Sequence, residues 1–363
     1  MSSIANIFIL TNTLKLGGAE KQSIYLANAL KNNYKVLLIV YYGNQLDLKL
    51  IKLTEKYKID VIYLNGSHFS KFIKLFLIFI KNRNSVIFSY LATTNFLNAI
   101  LGFISFTKYK VGGIRSMKIN KSKFYIQRFL HNFFLDKSIF NNSVGYNEFT
   151  SKGFSEKKSL VIPNCIEITQ ENKKHLYKND IVNIITVARF VYQKDLITAI
   201  LSIKELHEIY IENKVKINFK YTIIGYGELE QELRREIKIH RLENIINILI
   251  NPEDLNQFLY DSNIYLSTSI IEGLSNSIME AMEYSLPIIG TNVGDNDKLI
   301  KHGINGYLVK IKDSKLIAEH LFELINDKIK IDEMGRNSLN ILIENFSMSK
   351  FKKNYISLIE NIR

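Results

Sequence analysis

Short runs of β-branched and apolar residues recur along the chain, separated by longer stretches whose apolar positions fall three and four residues apart. That alternation predicts parallel strands covered by helices, an α/β fold. In the first half the predicted strands are Ile7–Leu10, Val36–Tyr41, Asp60–Tyr63, Val86–Ser89, Val111–Ile114 and Ser159–Ile162. In the second half they are Asn183–Val187, Lys220–Ile224, Ile246–Ile250, Asn263–Ser267, Pro287–Gly290 and Gly306–Val309. Each set is expected to form one six-stranded sheet. Between them Thr169 to Asp180 is polar and poor in branched residues, and it follows the turn-like pair Pro163-Asn164. It reads as a linker, giving domains of residues 1–168 and 181–346. Residues 347–363 have helical periodicity, with Phe351, Tyr355 and Leu358 on one face, and are expected to pack back on the first domain.

Length and composition agree with two ordinary globular domains: 363 residues, 47% hydrophobic and 23% charged. A single cysteine, Cys165, excludes an internal disulfide and a cysteine-based metal cage. The start of the chain reads as a first strand rather than a signal peptide, and the apolar run Leu75–Ile80 is far short of a membrane span. A cytoplasmic, non-integral protein is expected. The net charge of +13 is unevenly spread. Residues 1–178 hold 26 Lys and Arg against 9 Asp and Glu, or +17, whereas residues 179–363 hold 22 against 26, or −4. Such asymmetry points to a polyanion facing the first half, an acidic membrane surface or a nucleic acid, against the plainer reading of lysine-rich codon usage. Two segments, His68–Arg83 and Lys118–Lys137, mix Phe, Ile and Leu with Lys and Arg at helical spacing. Their apolar faces either cover the sheet or, around Phe72, Phe76, Phe129 and Phe133, lie against acidic headgroups.

The strongest chemical signal is Ser267–Tyr284, where a strand ends, a loop carries Glu272-Gly273-Leu274, and Ser275 is placed to cap a helix. Unpaired amides of a first helical turn favour an anion, and Gly273 allows close backbone approach. Glu280 falls at the margin of that helix's apolar face, where two hydroxyls of a ribose would satisfy its carboxylate. Glu272 is suited to sugar hydroxyls. A solvated helix glutamate and a turn glutamate are the plainer alternatives. After the strand that opens the second half, Arg189 and Lys194 frame a loop, and a fork plus a mobile point charge suit a diphosphate. Surface ion pairing is the alternative. Gly225 and Gly227, and Gly17 and Gly18, end predicted strands before helices, which is where open α/β sheets bind ligands.

Taken together, these residues resemble family 4 of the glycosyltransferases, retaining enzymes of bacterial polysaccharide and lipopolysaccharide assembly. The resemblance runs over nearly the whole chain: GGAE at 17–20, VIPNCIE at 161–167, VARFVYQK at 187–194, IIGYGELEQEL at 223–233, EGLSNSIMEAM at 272–282 and GINGYLV at 303–309. It implies the GT-B fold, two Rossmann-like domains with a donor cleft between them. It further implies that Gly18 lies by the transferred sugar and phosphates, and that Arg189 and Lys194 stabilise the leaving diphosphate. Glu272 would hold the donor hexose, Glu280 the ribose, and the Leu274 and Ser275 amides the β-phosphate. Relatives carry glycine where this chain has Cys165. Many also carry a first-domain histidine near the sugar, which the stretch Tyr90–Asn95 lacks; Asn95 and Arg115 are the candidates on the acceptor side.

The expected reaction is transfer of a hexose or N-acetylhexosamine from a nucleoside diphosphate sugar, with uridine as the base the resemblance implies, to a lipid-linked saccharide, with retention. No cofactor or metal is expected, because Arg189 and Lys194 supply the positive charge; Asp295-Asn296-Asp297 matches a metal-binding pattern by chance. The expected partners are the nucleotide sugar, the lipid-linked acceptor and an anionic membrane surface, with the enzyme peripheral at the inner face of the cytoplasmic membrane. The rivals are a sugar-nucleotide epimerase or phosphorylase on the same scaffold, which the combined Arg and Lys pair with two glutamates disfavours. A non-enzymatic basic membrane- or nucleic-acid-binding protein is the other, and no nucleic-acid motif is present.

Overall fold

The computed structural model describes residues 6–15, 17–115, 120–169 and 180–362. It divides into two compact units, Met1–Cys165 with Phe346–Arg363, and Ile166–Asn345. The boundary falls ahead of the expected linker, of which residues 170–179 lie outside the described residues.

The first unit opens with β1 (Asn6–Thr11), α1 (Gly18–Leu30), β2 (Lys35–Val40), α2 (Leu48–Lys56) and β3 (Val61–Tyr63). It continues through α3 (His68–Lys81), β4 (Ser85–Tyr90), α4 (Ala92–Ile104) and β5 (Tyr109–Ile114). The last strands and helices before the boundary are α5 (Lys121–Phe133), β6 (Lys137–Phe140), α6 (Ser143–Ser151) and β7 (Ser159–Val161). The strands form one parallel sheet in the order β3-β2-β1-β4-β5-β6-β7. β1 is central, with Ile9 opposite Leu38 on one side and Phe88 on the other, so its run of apolar residues is buried on both faces. The expected six strands are seven. β6 escaped the sequence because it is four residues long, begins with a lysine and directly follows an amphipathic helix whose spacing absorbed it.

Near β6, His131 of α5 is buried, its ring against Phe154 and its nitrogens on Ser138 Oγ at 2.8 Å and the Ser155 carbonyl at 3.1 Å. Burial pushes its pKa down to about 4, against the opposing pull of the Ser155 carbonyl. Neutral His131 therefore stabilises the fold above the ordinary histidine pKa near 6.5, and that contribution is lost as pH falls toward 4. Urea unfolding of His131→Gln is expected to lack about 2–3 kcal/mol of the stability loss that the wild type suffers between about pH 7 and pH 4.5. Parallel pH profiles for the two proteins would refute this assignment.

The second unit contains β8 (Val182–Arg189), α7 (Leu196–Glu212), β9 (Phe219–Tyr226), α8 (Glu230–Ile239), β10 (Ile246–Ile250) and α9 (Leu255–Asp261). Then come β11 (Ile264–Ser267), α10 (Asn276–Glu283), β12 (Ile288–Thr291), α11 (Asn296–Leu299), β13 (Gly306–Val309), α12 (Ser314–Ile325) and α13 (Lys328–Phe346). Its six strands are parallel in the order β10-β9-β8-β11-β12-β13. The connections run outward one way from β8 and the other way from β11, which makes the carboxyl ends of those two strands the switch point where such sheets bind ligands. The final helix, α14 (Met348–Asn361), belongs to the first unit, where it lies against α1 with Phe351, Tyr355, Leu358 and Ile359 buried.

The lipid-facing expectation needs a correction in α3. Lys71 is 6% exposed, its ammonium over the rings of Tyr42 at 4.7 Å and Tyr41 at 5.4 Å, and Phe72 and Phe76 pack on the core. Residues 71, 75 and 79 make the buried stripe, so the exposed apolar stripe is Phe69, Ile73 and Leu77.

Candidate active site

Strand β8 ends at Arg189, which is exposed, and the chain then makes a short turn through Tyr192–Lys194 into α7. Asp195 takes the left-handed conformation (φ 43°), which swings the backbone from turn to helix. Beside it, β11 ends at Ser267 and the loop 268–275 leads to α10. That loop is fixed along its length. Thr268 Oγ1 donates to the carbonyls of Lys194 (3.1 Å) and Asp195 (2.9 Å), and the Ile270 amide donates to the Gln193 carbonyl at 2.9 Å. Thr291 Oγ1 donates to the Ser269 carbonyl, and the Asp295 amide to the Gly273 carbonyl at 2.8 Å. Gly294, with φ 59°, lies directly beneath: a Cβ there would stand 2.2 Å from the Glu272 carbonyl oxygen and 2.4 Å from that of Gly273.

The result brings Lys194 and Glu272 together. Their side chains, 19% and 12% exposed, form an ion pair, and Ser269 Oγ donates to the same Glu272 oxygen at 2.9 Å. Sequence spacing alone joined neither residue to the other. Ser275 caps α10, its hydroxyl accepting from the Ile278 amide at 3.4 Å; Leu274 and Ser275 are buried and Gly273 is half-buried. Ile278, Met279, Ala281 and Met282 bury the inner side of α10, leaving Glu280 half-buried at its margin. Under the site the buried phenol of Tyr265 donates to the Val187 carbonyl at 3.0 Å. Burial raises its pKa, the Glu280 and Glu272 carboxylates adding to the shift, so it stays a neutral donor. A small hollow lined by Val187, Ala188, Lys194, Ser267, Ser269 and Ser277 opens here. Tyr265, Ser269 and Gly294 were missed in the sequence; a hydroxyl-rich Ser-Thr-Ser run at the end of a strand was the available signal.

Gly225 and Gly227 act through the backbone. A Cβ on Gly225 would fall 1.8 Å from the Ala188 carbonyl oxygen, and one on Gly227 would fall 2.4 Å from that of Phe190, so both let the end of β9 close onto the end of β8. Asp295 is buried in an ion pair with Lys298 at 2.8 Å, while Asp297 is exposed. No group of three or more potential metal-ligating side chains converges among the described residues.

In the first unit the switch point lies between β1 and β4. Gly18 is exposed in the first turn of α1, and Gly17 lets the Glu20 carboxylate fold back over that turn, since a Cβ on Gly17 would meet it at 2.4 Å. Thr13 Oγ1 donates to Glu20 at 3.3 Å. At the end of β4, Leu91 adopts φ 74° and ψ 166°, a conformation that side-chain-bearing residues rarely take and that costs about 1–3 kcal/mol. Asn95 does not face the acceptor as expected. It is 3% exposed, its amide exchanging bonds with the Gly113 backbone at 3.0 and 3.2 Å and accepting from Ser89 Oγ at 2.8 Å. Arg115 is half-buried over the Tyr90 ring and donates to Asn164 at 2.7 Å and Tyr355 at 3.4 Å, which ties α14 to the sheet. Gln22 clamps the backbone of Cys165, donating to its carbonyl at 2.6 Å and accepting from its amide at 3.0 Å.

Two doubly wound parallel sheets, the second with a fixed strand-loop-helix turn at its switch point, make up the GT-B fold. Residues 167–340 match the model of the family described as Glycosyl transferases group 1. A Campylobacter jejuni protein, GalNAc-alpha-(1->4)-GalNAc-alpha-(1->3)-diNAcBac-PP-undecaprenol alpha-1,4-N-acetyl-D-galactosaminyltransferase, is 25% identical over 97% of both chains. The capsular polysaccharide biosynthesis glycosyltransferase CapH of Staphylococcus aureus is 24% identical over 98% of this chain and 99% of its own. Among solved structures, Anabaena Alr3699/HepE in complex with UDP superposes with a TM-score of 0.82 at 19% identity, covering 98% of this chain and 100% of that one. The second unit belongs to the glycosyl transferases group 1 family, and the protein is a glycosyltransferase.

Proposed function

We propose that this enzyme transfers a hexose or N-acetylhexosamine from a UDP-sugar to a lipid-linked saccharide during bacterial cell-surface polysaccharide assembly, with retention of configuration. The observation that carries the reading is the Lys194–Glu272 pair held at the β8/β11 switch point beside the capped end of α10. On this reading the diphosphate takes the Lys194 ammonium, the Arg189 guanidinium and the Leu274 and Ser275 amides. Glu272 turns to the hydroxyls of the sugar and Glu280 to those of the ribose. The bond from the anomeric carbon to the phosphate oxygen breaks, the acceptor hydroxyl attacks the face that the diphosphate leaves, and its proton passes to the departing phosphate. Positive charge fixed before the reaction stabilises the developing diphosphate. The C. jejuni relative's undecaprenol-linked acceptor and the UDP bound to the Anabaena structure support the substrate classes.

Such an acceptor presents its sugar at a bilayer. Among the described residues no helix is long and apolar enough to cross a membrane. The acceptor chemistry and the basic first half support an enzyme held peripherally at the cytoplasmic face. Thermal denaturation with UDP, GDP and ADP tests the donor: at about 100-fold excess over Kd, UDP is expected to add about 2.7 kcal/mol of apparent stability. A larger shift with GDP or ADP would overturn the base. Transfer is expected to persist in excess EDTA, and loss restored by manganese would return Asp295 and Asp297 to the site.

A further inference from the structure

We infer that the outward surface of α3, α4 and α5 is a membrane-inserting face whose partner is an anionic lipid bilayer; this rests on the lipid-linked acceptor proposed above. The helices are sequential neighbours packed side by side, α3 on α4 and α4 on α5. Each leaves large apolar side chains in the open: Phe69, Ile73 and Leu77 from α3, Phe103 and Ile104 from the end of α4 with Phe106 just beyond, and Ile126, Phe129 and Phe133 from α5. Phe69, Phe106 and Phe133 are 74%, 76% and 71% exposed. Across α4 and α5 the rings join, Phe103 meeting Phe134 at 5.1 Å and Phe129 meeting both Phe133 at 5.1 Å and Phe134 at 5.6 Å. Scattered exposed apolar residues are ordinary, but rows of them on three adjacent helices form a patch of the kind that marks an interaction surface.

Charge decides the partner. From residue 61 to residue 135 the chain has no Asp or Glu and 11 Lys and Arg. Lys74, Lys81, Arg83, Lys108, Lys121 and Lys123 are exposed around the patch. Apolar side chains framed by cations, with no carboxylate on the three helices and Asp136 beyond α5 already paired with Lys110 at 2.9 Å, match an acidic headgroup layer above acyl chains. A second copy is disfavoured, because a two-fold contact would set this predominantly basic surface against itself. A nucleic acid would satisfy the cations while leaving the aliphatic side chains Ile73, Leu77, Ile104 and Ile126 without a partner of their own kind.

The chain contains no tryptophan, so a single introduced indole reports its own surroundings. In the full-length protein, Phe69→Trp and Phe133→Trp are expected to shift to the blue with phosphatidylglycerol vesicles and to be quenched by brominated acyl chains. Ile329→Trp, at an equally exposed position of the second unit, is expected to do neither. The double change Phe129→Asp and Phe133→Asp should weaken vesicle binding about tenfold or more, as expected for losing two inserted rings. Lys52→Gln with Lys58→Gln, the same charge change of −2 on exposed lysines at and just after α2, which packs with α1 rather than with these helices, should weaken it far less. Hydrolysis of the donor by all variants should match the wild type. Unquenched indoles at positions 69 and 133, or binding to single-stranded RNA with none to vesicles, would overturn the membrane face. Insertion without any sugar transfer would instead overturn the proposed reaction and leave the face standing.

Discussion

Lys194→Ala is expected to lower kcat by about 10²–10³-fold, the loss typical of removing one preorganised donor from a developing oxyanion. The side chain is half-buried and its loop is held through the Thr268 hydroxyl and the Ile270 amide, neither of which uses the lysine head group. The fold should therefore survive, and an unchanged urea midpoint is the control. Arg189→Ala is expected to act in the same direction from the exposed end of β8, and the two effects should not add, because in the proposed reaction both charges serve one leaving group. Lys194→Arg is a poor rescue, since a planar fork replaces a compact ammonium facing a fixed carboxylate. Near-normal turnover in both alanine variants would remove these residues from the reaction.

Glu272→Gln is expected to move two measurements in opposite directions. In the free enzyme the Glu272 carboxylate holds the Lys194 ammonium, so bound diphosphate must compete for that cation. Glutamine keeps the shape and can still accept from Ser269 Oγ, yet it carries no charge to hold the lysine. UDP should bind up to about fivefold more tightly, given that a partly exposed ion pair is worth up to about 1 kcal/mol. Transfer from the sugar nucleotide should fall by roughly 10–100-fold, because hydrogen bonds to a charged acceptor are worth about 1.5–3 kcal/mol. Isothermal titration with UDP and initial rates with the sugar nucleotide separate the two. A variant that loses UDP affinity along with turnover would show that Glu272 supports the loop and makes no exchange of partners.

What the sequence by itself determined is whatever neighbouring residues encode. Strands β9 to β12 follow from branched apolar runs closed by glycine, serine or asparagine, and α10 starts after Ser275 because a hydroxyl there can take an amide of the first turn. The position of the candidate site was legible too, since Arg189 ends β8 and Lys194 and Glu272 stand in the loops just past β8 and β11. Tertiary structure alone decided which of these groups meet. Lys194 reaches Glu272 across 78 residues, Gln22 clamps Cys165 across 143, and Arg115 finds Tyr355 across 240, each contact set by strand order rather than by spacing. The same holds for Asn95, whose place beside Gly112 and Gly113 turns an apparent ligand-facing amide into a buried tie between helix and sheet. Amphipathic spacing in α3 gave a helix but not its rotation. Packing buries Lys71 under two tyrosines and leaves Phe69 in the open, because the inward stripe must fit the surface of β1 and β4, which periodicity does not describe.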